Sequence, residues 1–250
     1  MFGGHGKLLR VNLSEGTVQQ EAIPEELFDK FLTGAGLATH YLFREVPKGA
    51  DPLGPDNELI LMTGALTGTV APSTGRFNWV FKSPLTGIWA QSNSAGFWGV
   101  DFKKTGYDGI IFQGASSKPV YLVIEEEKAE LRDASHLWGK SVTETTELIQ
   151  QELGDKFNVD CIGIAGENLV KYANIMNDLH RAAGRCGGGA VMGSKKLKAI
   201  AVRGSKQVNI ANPEAFKEVA EKQFDLLDQA MFKVTLETFG TNVVIDLVNA

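Results

Sequence analysis

Blocks of basic residues are absent from this chain of 250 residues, whose formal net charge is −5. The electrostatic footprint of a nucleic-acid binder is therefore missing, and an anionic membrane is not an expected partner. Cysteine is nearly absent: Cys161 and Cys186 stand far apart, outside any CxxC or CxxxC spacing. Two isolated thiols cannot hold a four-cysteine iron–sulfur cluster or a structural zinc. They form no disulfide framework either, which fits a reducing, cytoplasmic compartment. The histidines His5, His40, His136 and His180 have no metal-ligand spacing, and Asp178 with His180 is too small a set for a site. No run approaches the ~18 apolar residues of a membrane span, and Met1 to Lys7 has no apolar leader segment. No Ser/His/Asp or Cys/His constellation can be assembled, so no self-sufficient catalytic set is expected here.

What is present is an ordinary globular composition, 43% hydrophobic and 22% charged, enough to bury a large core. KLLRVNL (7–13) alternates as a strand, and Ser14–Thr17 turns into a partner at 18–21. Pro24 opens a helix to Leu32, and a second helix follows Gly36. ELILMT (58–63) and RFNWVFK (76–82) read as strands around a broken stretch, 64–75. Further strands fall at 110–112, 120–124, 128–132, 159–164 and 198–202. Ser141 and Glu144 form a capping box for a helix to Leu153. Asn212-Pro213 starts a long amphipathic helix, so a boundary is expected near Ser205, with the strand-rich domain before it and a helical segment over 206–250. A loose duplication is also visible. A small-residue loop, a short helix carrying Lys103-Lys104 and the strand Ile110–Phe112 are echoed by a glycine loop, Lys195-Lys196 and Ala199–Val202, with Thr74-Gly75-Arg76 and Ala183-Gly184-Arg185 as a second echo. Two similar halves would contact a ligand in a roughly two-fold way.

Three features could carry chemistry. In His180–Ala190, four glycines among six residues (184–189) lie directly before a helix, flanked by Arg181 and Arg185. Such a backbone can approach an anion closely and aim unpaired N–H groups at it, while guanidinium groups grip phosphate. The stretch matches neither GxGxxG nor GxxxxGK[ST]. It reads equally as a flexible glycine turn with two surface arginines. Gln91–Gly96, with Asn93, Ser94 and Ala95, forms a second cradle, or merely an N-cap for the helix at Phe97. Arg76 follows a loop of Thr67, Thr69, Ser73 and Thr74, and also reads as a strand-edge arginine. Together the three describe a groove for a large, multiply anionic ligand; a nucleotide phosphate is a rival occupant.

Those residues, with GKLLRVNLSEGTV, DPLGPDNELILMTGALTGTVAPSTGRFNWVFKSPLTG, NSAGFWGVDFKKTGYDGIIFQGAS, AGENLVKYANIMNDLHRAAGR and GAVMGSKKLKAIAVRG, closely resemble the N-terminal part of the aldehyde ferredoxin oxidoreductase family. The resemblance implies an α+β, duplicated, two-halved domain whose β-sheets form a saddle, followed by the start of an α-helical domain. It implies a tungsten (or molybdenum) bis-pterin cofactor whose two phosphates are bridged by magnesium. Arg76, Asn93, Ser94, Ala95, Gly96, Arg181, Ala182, Ala183, Gly184 and Arg185 are the implied cofactor-binding residues. The carbonyls of Asn93 and Ala182 are the implied magnesium ligands. The 4Fe-4S cluster and the substrate-pocket residues are expected in a C-terminal part beyond this sequence. The implied activity is oxidation of aldehydes to carboxylic acids with electrons passing to ferredoxin or an iron–sulfur subunit, by an enzyme that includes the remainder of the family's chain and possible homo-oligomers. A related reductive enzyme acting on an activated aromatic acid, or a non-catalytic pterin-binding or assembly module, are the alternatives. Ala95 and Cys186 stand where relatives commonly carry glycine; a tighter or shifted backbone approach is expected at Ala95, and the Cys186 thiol is not expected to be a metal ligand.

Overall fold

The computed structural model describes residues 1–249. The first half runs β1 (Lys7–Asn12), β2 (Thr17–Ala22), α1 (Glu25–Phe31), α2 (Ala35–Glu45), β3 (Leu59–Thr63), β4 (Phe77–Lys82), β5 (Trp89–Ser94), α3 (Trp98–Lys104) and β6 (Gly109–Gln113). The second runs β7 (Val120–Glu125), β8 (Lys128–Asp133), α4 (Val142–Leu153), β9 (Asn158–Cys161), α5 (Ile164–Glu167), β10 (Ile175–Asn177), β11 (Arg181–Ala183), α6 (Gly188–Ser194) and β12 (Leu197–Arg203). Each half builds one six-stranded sheet. Their orders, β2-β1-β6-β3-β4-β5 and β8-β7-β12-β9-β10-β11, are the same order written twice. In both, the half's first strand lies parallel to its last, β1 to β6 and β7 to β12, and the other neighbours are antiparallel.

The duplication is thus topological, and the echo of α3–β6 in α6–β12 is its trace in the sequence. The second echo fails. Arg76 leads into β4, whereas Ala183–Arg185 leave β11, which is the counterpart of β5.

β3 is buried at all five positions because both its faces are covered, which is why it reads as an unbroken apolar run. Leu59 and Leu61 point between the sheets with Trp79, Phe81 and Phe112, and meet Leu122, Ile124, Ile200 and Val202 from the other half. Trp98 and Phe102 of α3 and Val191 and Met192 of α6 join the same cluster. Ile60 and Met62 face outward beneath Leu37, Tyr41 and Leu42 of α2. On the other outer face Ile149 of α4 covers Tyr121, Val159 and Ala199. The edge strands β2 and β8 are polar and largely exposed, which discourages further strand addition.

The Ser141 hydroxyl accepts from the Glu144 N–H at 3.2 Å, and the Glu144 carboxylate accepts from the Ser141 N–H at 2.8 Å. Ser141→Ala should cost about 1 kcal/mol, read as a small fall in the denaturation midpoint without a change in m-value.

A second, smaller unit consists of 70–73 and the chain from Ile210 onward. It holds α7 (Pro213–Asp228), α8 (Lys233–Phe239), a 3₁₀ turn (Gly240–Val244) and α9 (Ile245–Asn249). The Asn212 side chain accepts from the Ala215 N–H at 3.1 Å and so caps α7. No described helix is long and apolar enough to cross a membrane.

Candidate functional site

β5 and β11 occupy the same end position in their two sheets. In the β4–β5 register Asn78 pairs with Asn93 and Phe77 with Ser94. In β10–β11 Met176 pairs with Ala182 and Ile175 with Ala183. Since β10 and β11 are the counterparts of β4 and β5, Asn93 and Ala182 hold matched positions one pair in from the end of each ladder.

The two sheets are stitched together at this end by polar side chains. The Ser92 hydroxyl accepts from the Arg185 N–H at 3.0 Å. The Ser94 hydroxyl donates to Asn177 Oδ1 at 2.6 Å, and Asn177 Nδ2 donates to the Ala95 carbonyl at 2.8 Å. Ser92, Ser94 and Asn177 are buried, whereas Asn93, Arg181, Gly184 and Arg185 are exposed. Arg76 reaches this edge from the entry to β4: its Nη1 donates to Asn93 Oδ1 at 2.6 Å, and its carbonyl accepts from the Thr67 hydroxyl at 3.0 Å. The residues expected from sequence therefore gather on one rim, drawn from both halves. Arg76, Arg181 and Arg185 form no ion pair with a carboxylate among the described residues. Such a rim suits a multiply anionic ligand.

The helix entrances are not the anion cradles expected from sequence. Gly187, Gly188 and Gly189 are buried against protein: a Cβ at Gly187 would lie 2.0 Å from the Lys171 carbonyl oxygen, and one at Gly189 2.4 Å from that of Asn174. The Gly189 N–H already donates to the Ala173 carbonyl at 2.9 Å. These glycines exist for close packing. Gly184, by contrast, would bring a Cβ no nearer than 3.7 Å to anything. At the other entrance the Phe97 N–H donates to Asp178 Oδ2 at 2.7 Å. Asn93 and Ser94 lie within β5 and do not cap α3, whose cap position is Phe97.

Sequence reasoning missed the floor of this rim. Asp160 of β9 is fully buried, pairs across the sheet with Asn177, and neither of its carboxyl oxygens has a hydrogen-bond partner. Burial pushes its carboxyl well above the usual carboxylate range; the Trp79 indole opposes this and Asp178 reinforces it. The only sequence signal was a lone acid in the apolar strand VDCI. Among the described residues no cluster of three or more His, Cys, Asp or Glu could hold a metal, and both cysteines are free thiols.

The model of the aldehyde ferredoxin oxidoreductase N-terminal domain family matches residues 8–204. Over its whole length the chain is 51% identical to the tungsten-containing aldehyde ferredoxin oxidoreductase of Thermococcus kodakarensis and 50% identical to that of Pyrococcus furiosus, spanning 42% of each relative. It is 37% identical, over 82% of its length, to the WOR-like subunit of an aliphatic sulfonate oxidoreductase of Pyrococcus furiosus. Among solved structures, the active-site complex BamBC of benzoyl coenzyme A reductase with 1,5-dienoyl-CoA contains a chain of TM-score 0.89 and 40% identity, aligned over 91% of this chain and 35% of the other.

Proposed function

Because the chain belongs to the aldehyde ferredoxin oxidoreductase family, we propose that its rim of Arg76, Asn93–Gly96 and Arg181–Arg185 holds the phosphate ends of a tungsten bis-pterin cofactor. The observation that supports this most is the trio Arg76, Arg181 and Arg185, none in an ion pair among the described residues, gathered beside two edge strands whose residues Asn93 and Ala182 hold matched register positions. A ligand with two equivalent anionic tails suits a surface made of two equivalent halves. Arg76 and Arg181 would pair with phosphate oxygens. The carbonyls of Asn93 and Ala182 would be hard oxygen ligands for a bridging magnesium. When bound, the cofactor supplies two-electron oxidation of an aldehyde to a carboxylic acid with oxygen from water, the protein supplying position and electrostatics. The 4Fe-4S cluster, ferredoxin contact and substrate pocket would lie in the part of the family's length this chain does not span, and the helices from Ile210 onward would open that next domain. A second reading, reductive chemistry on an activated aromatic acid, is favoured only by the likeness to the benzoyl coenzyme A reductase complex. The higher identity to the aldehyde enzymes places it second.

Arg76→Ala, expressed together with the remaining part of the enzyme, should lower tungsten per chain about tenfold, the effect of losing a charge-assisted contact, while far-UV circular dichroism is unchanged. Full tungsten content in that variant would remove Arg76 from the site.

A further inference from the structure

The rim contains one group whose charge opposes an anion, and its geometry gives it another task. Asp178 lies in the turn between β10 and β11, and one of its oxygens, Oδ2, accepts both the Phe97 N–H at 2.7 Å and Asn177 Nδ2 at 3.1 Å. Phe97 belongs to the first half and Asp178 to the second. The carboxylate therefore bridges the halves at the point where the chain leaves β5.

The surroundings are shaped around this bridge. Gly96 has φ +108, and a Cβ there would stand 1.9 Å from Asp178 Oδ2 and 3.3 Å from Cγ of Arg181. Only glycine admits the carboxylate. Asp178 and Leu179 have φ +48 and +64, a left-handed pair that leucine adopts at a cost and that something outside the turn must hold. Two residues beyond them Arg181 starts β11. Asn177 carries the same link inward through Ser94 and the Ala95 carbonyl.

We propose that Asp178 is a positioning residue: its Oδ2 clasps the β10–β11 turn to the Gly96–Phe97 main chain and so sets the spacing of Asn93 against Ala182 and the reach of Arg181. The proposal rests on the cofactor reading above for what is positioned, but the clasp itself does not. Both donors go to one oxygen, so the acceptor and not the charge is what the task needs. Asparagine can supply that oxygen; alanine cannot.

Asp178→Ala, Asp178→Asn and Arg76→Ala, each expressed with the remaining part of the enzyme, test this by three readouts: hydrogen exchange of the Phe97 amide, tungsten per chain, and thermal midpoint. In Asp178→Ala the Phe97 amide should exchange about tenfold faster or more, as expected for loss of a hydrogen bond to a charged acceptor, and tungsten should fall severalfold with a midpoint close to that of the parent. Asp178→Asn should restore both to near the parent values. Unchanged exchange in Asp178→Ala overturns the clasp. Faster exchange with full tungsten overturns its positioning role, and so does an Asn variant that behaves like the Ala variant. If Arg76→Ala and Asp178→Ala both keep full tungsten, the reading of this rim as the cofactor site fails, while the exchange data still judge the clasp on their own.

Discussion

Gly189→Ala should lower the thermal midpoint by several degrees, up to roughly 8 °C, whereas Gly184→Ala, five residues earlier, should leave it within about 1 °C. The added methyl at Gly189 would meet the Asn174 carbonyl oxygen at 2.4 Å and the Ala173 carbonyl carbon at 2.8 Å. Both are main-chain atoms, and the Ala173 carbonyl is already tied to the Gly189 N–H, so neither moves cheaply. Overpacking of this kind costs about 1–3 kcal/mol or more, and the gain of about 1 kcal/mol from replacing a helical glycine only partly offsets it. For a chain of this size each kcal/mol is worth about 2–4 °C. Gly193→Ala should behave in the same way, since its methyl would lie 2.0 Å from the Gly166 carbonyl oxygen. Differential scanning calorimetry on the three variants decides the point. If Gly189→Ala melted with the parent, α6 would not be pressed onto the 171–174 loop, and its glycines would again be free to serve a ligand.

That contrast shows where the sequence could be read and where it could not. Amphipathic or doubly buried elements were legible: β1, β3, α4 with its capping box, and α7 each follow from periodicity and end signals. β5 was hidden because its inward positions include Ser92 and Ser94, polar side chains buried for use at the seam between the halves. The alternation of apolar with polar residues that marks a half-buried strand is therefore broken. β10 and β11, at three residues each, are too short for any period to register. The glycine run at 187–189 gave a correct signal, close main-chain approach, but a sequence cannot say whether a ligand or a neighbouring loop is what approaches. Asp160 was invisible for a similar reason: its meaning lies in what surrounds it across two sheets.

The duplication explains why so much of the rim could still be named. Two copies of one fold unit present the same edge strand, so a ligand-facing residue in one copy has a counterpart by register in the other. Asn93 and Ala182 share no side-chain chemistry, and what they have in common is a main-chain position. A main-chain carbonyl is an oxygen ligand that duplication keeps whatever happens to the side chains. The side-chain contributions have diverged: Arg76 precedes β4, but Asn174 stands before β10, and the second half draws its cations from Arg181 at the start of β11 and Arg185 just beyond its end.

Stability should fall as pH rises from 5 to 7, and Glu58→Gln should remove the share of that fall that Glu58 carries. Glu58 precedes β3 and is buried, with Oε1 accepting from Gln113 Nε2 at 2.7 Å and Oε2 without a partner. Burial pushes its carboxyl up to about 7; Glu45 pushes the same way, while Gln113 and Arg10 oppose it. Arg10 is committed elsewhere, to Glu21 at 2.5 Å and Glu45 at 2.6 Å, and so cannot neutralise a third carboxylate. With the folded value above the unfolded one, the contribution to stability is complete below the ordinary glutamate range and is lost as pH rises through about 7. At ~1.4 kcal/mol for each tenfold change in acidity, the ceiling is about 3 kcal/mol. Lys195 has the opposite sign: burial lowers its amine to about 8, so its contribution is lost as pH falls through that value and is regained toward alkaline pH. Its penalty is therefore constant below 7, and because ionised Glu58 raises this amine, the interval in which Glu58 is read alone is pH 5 to 7. Asp160, raised by burial as well, has the same sign as Glu58, and both the variant and the parent keep it. The quantity to measure is thus the difference in unfolding free energy between Glu58→Gln and the parent. It should favour the variant increasingly between pH 5 and 7, and a difference flat across that interval would mean that Glu58 is ionised throughout.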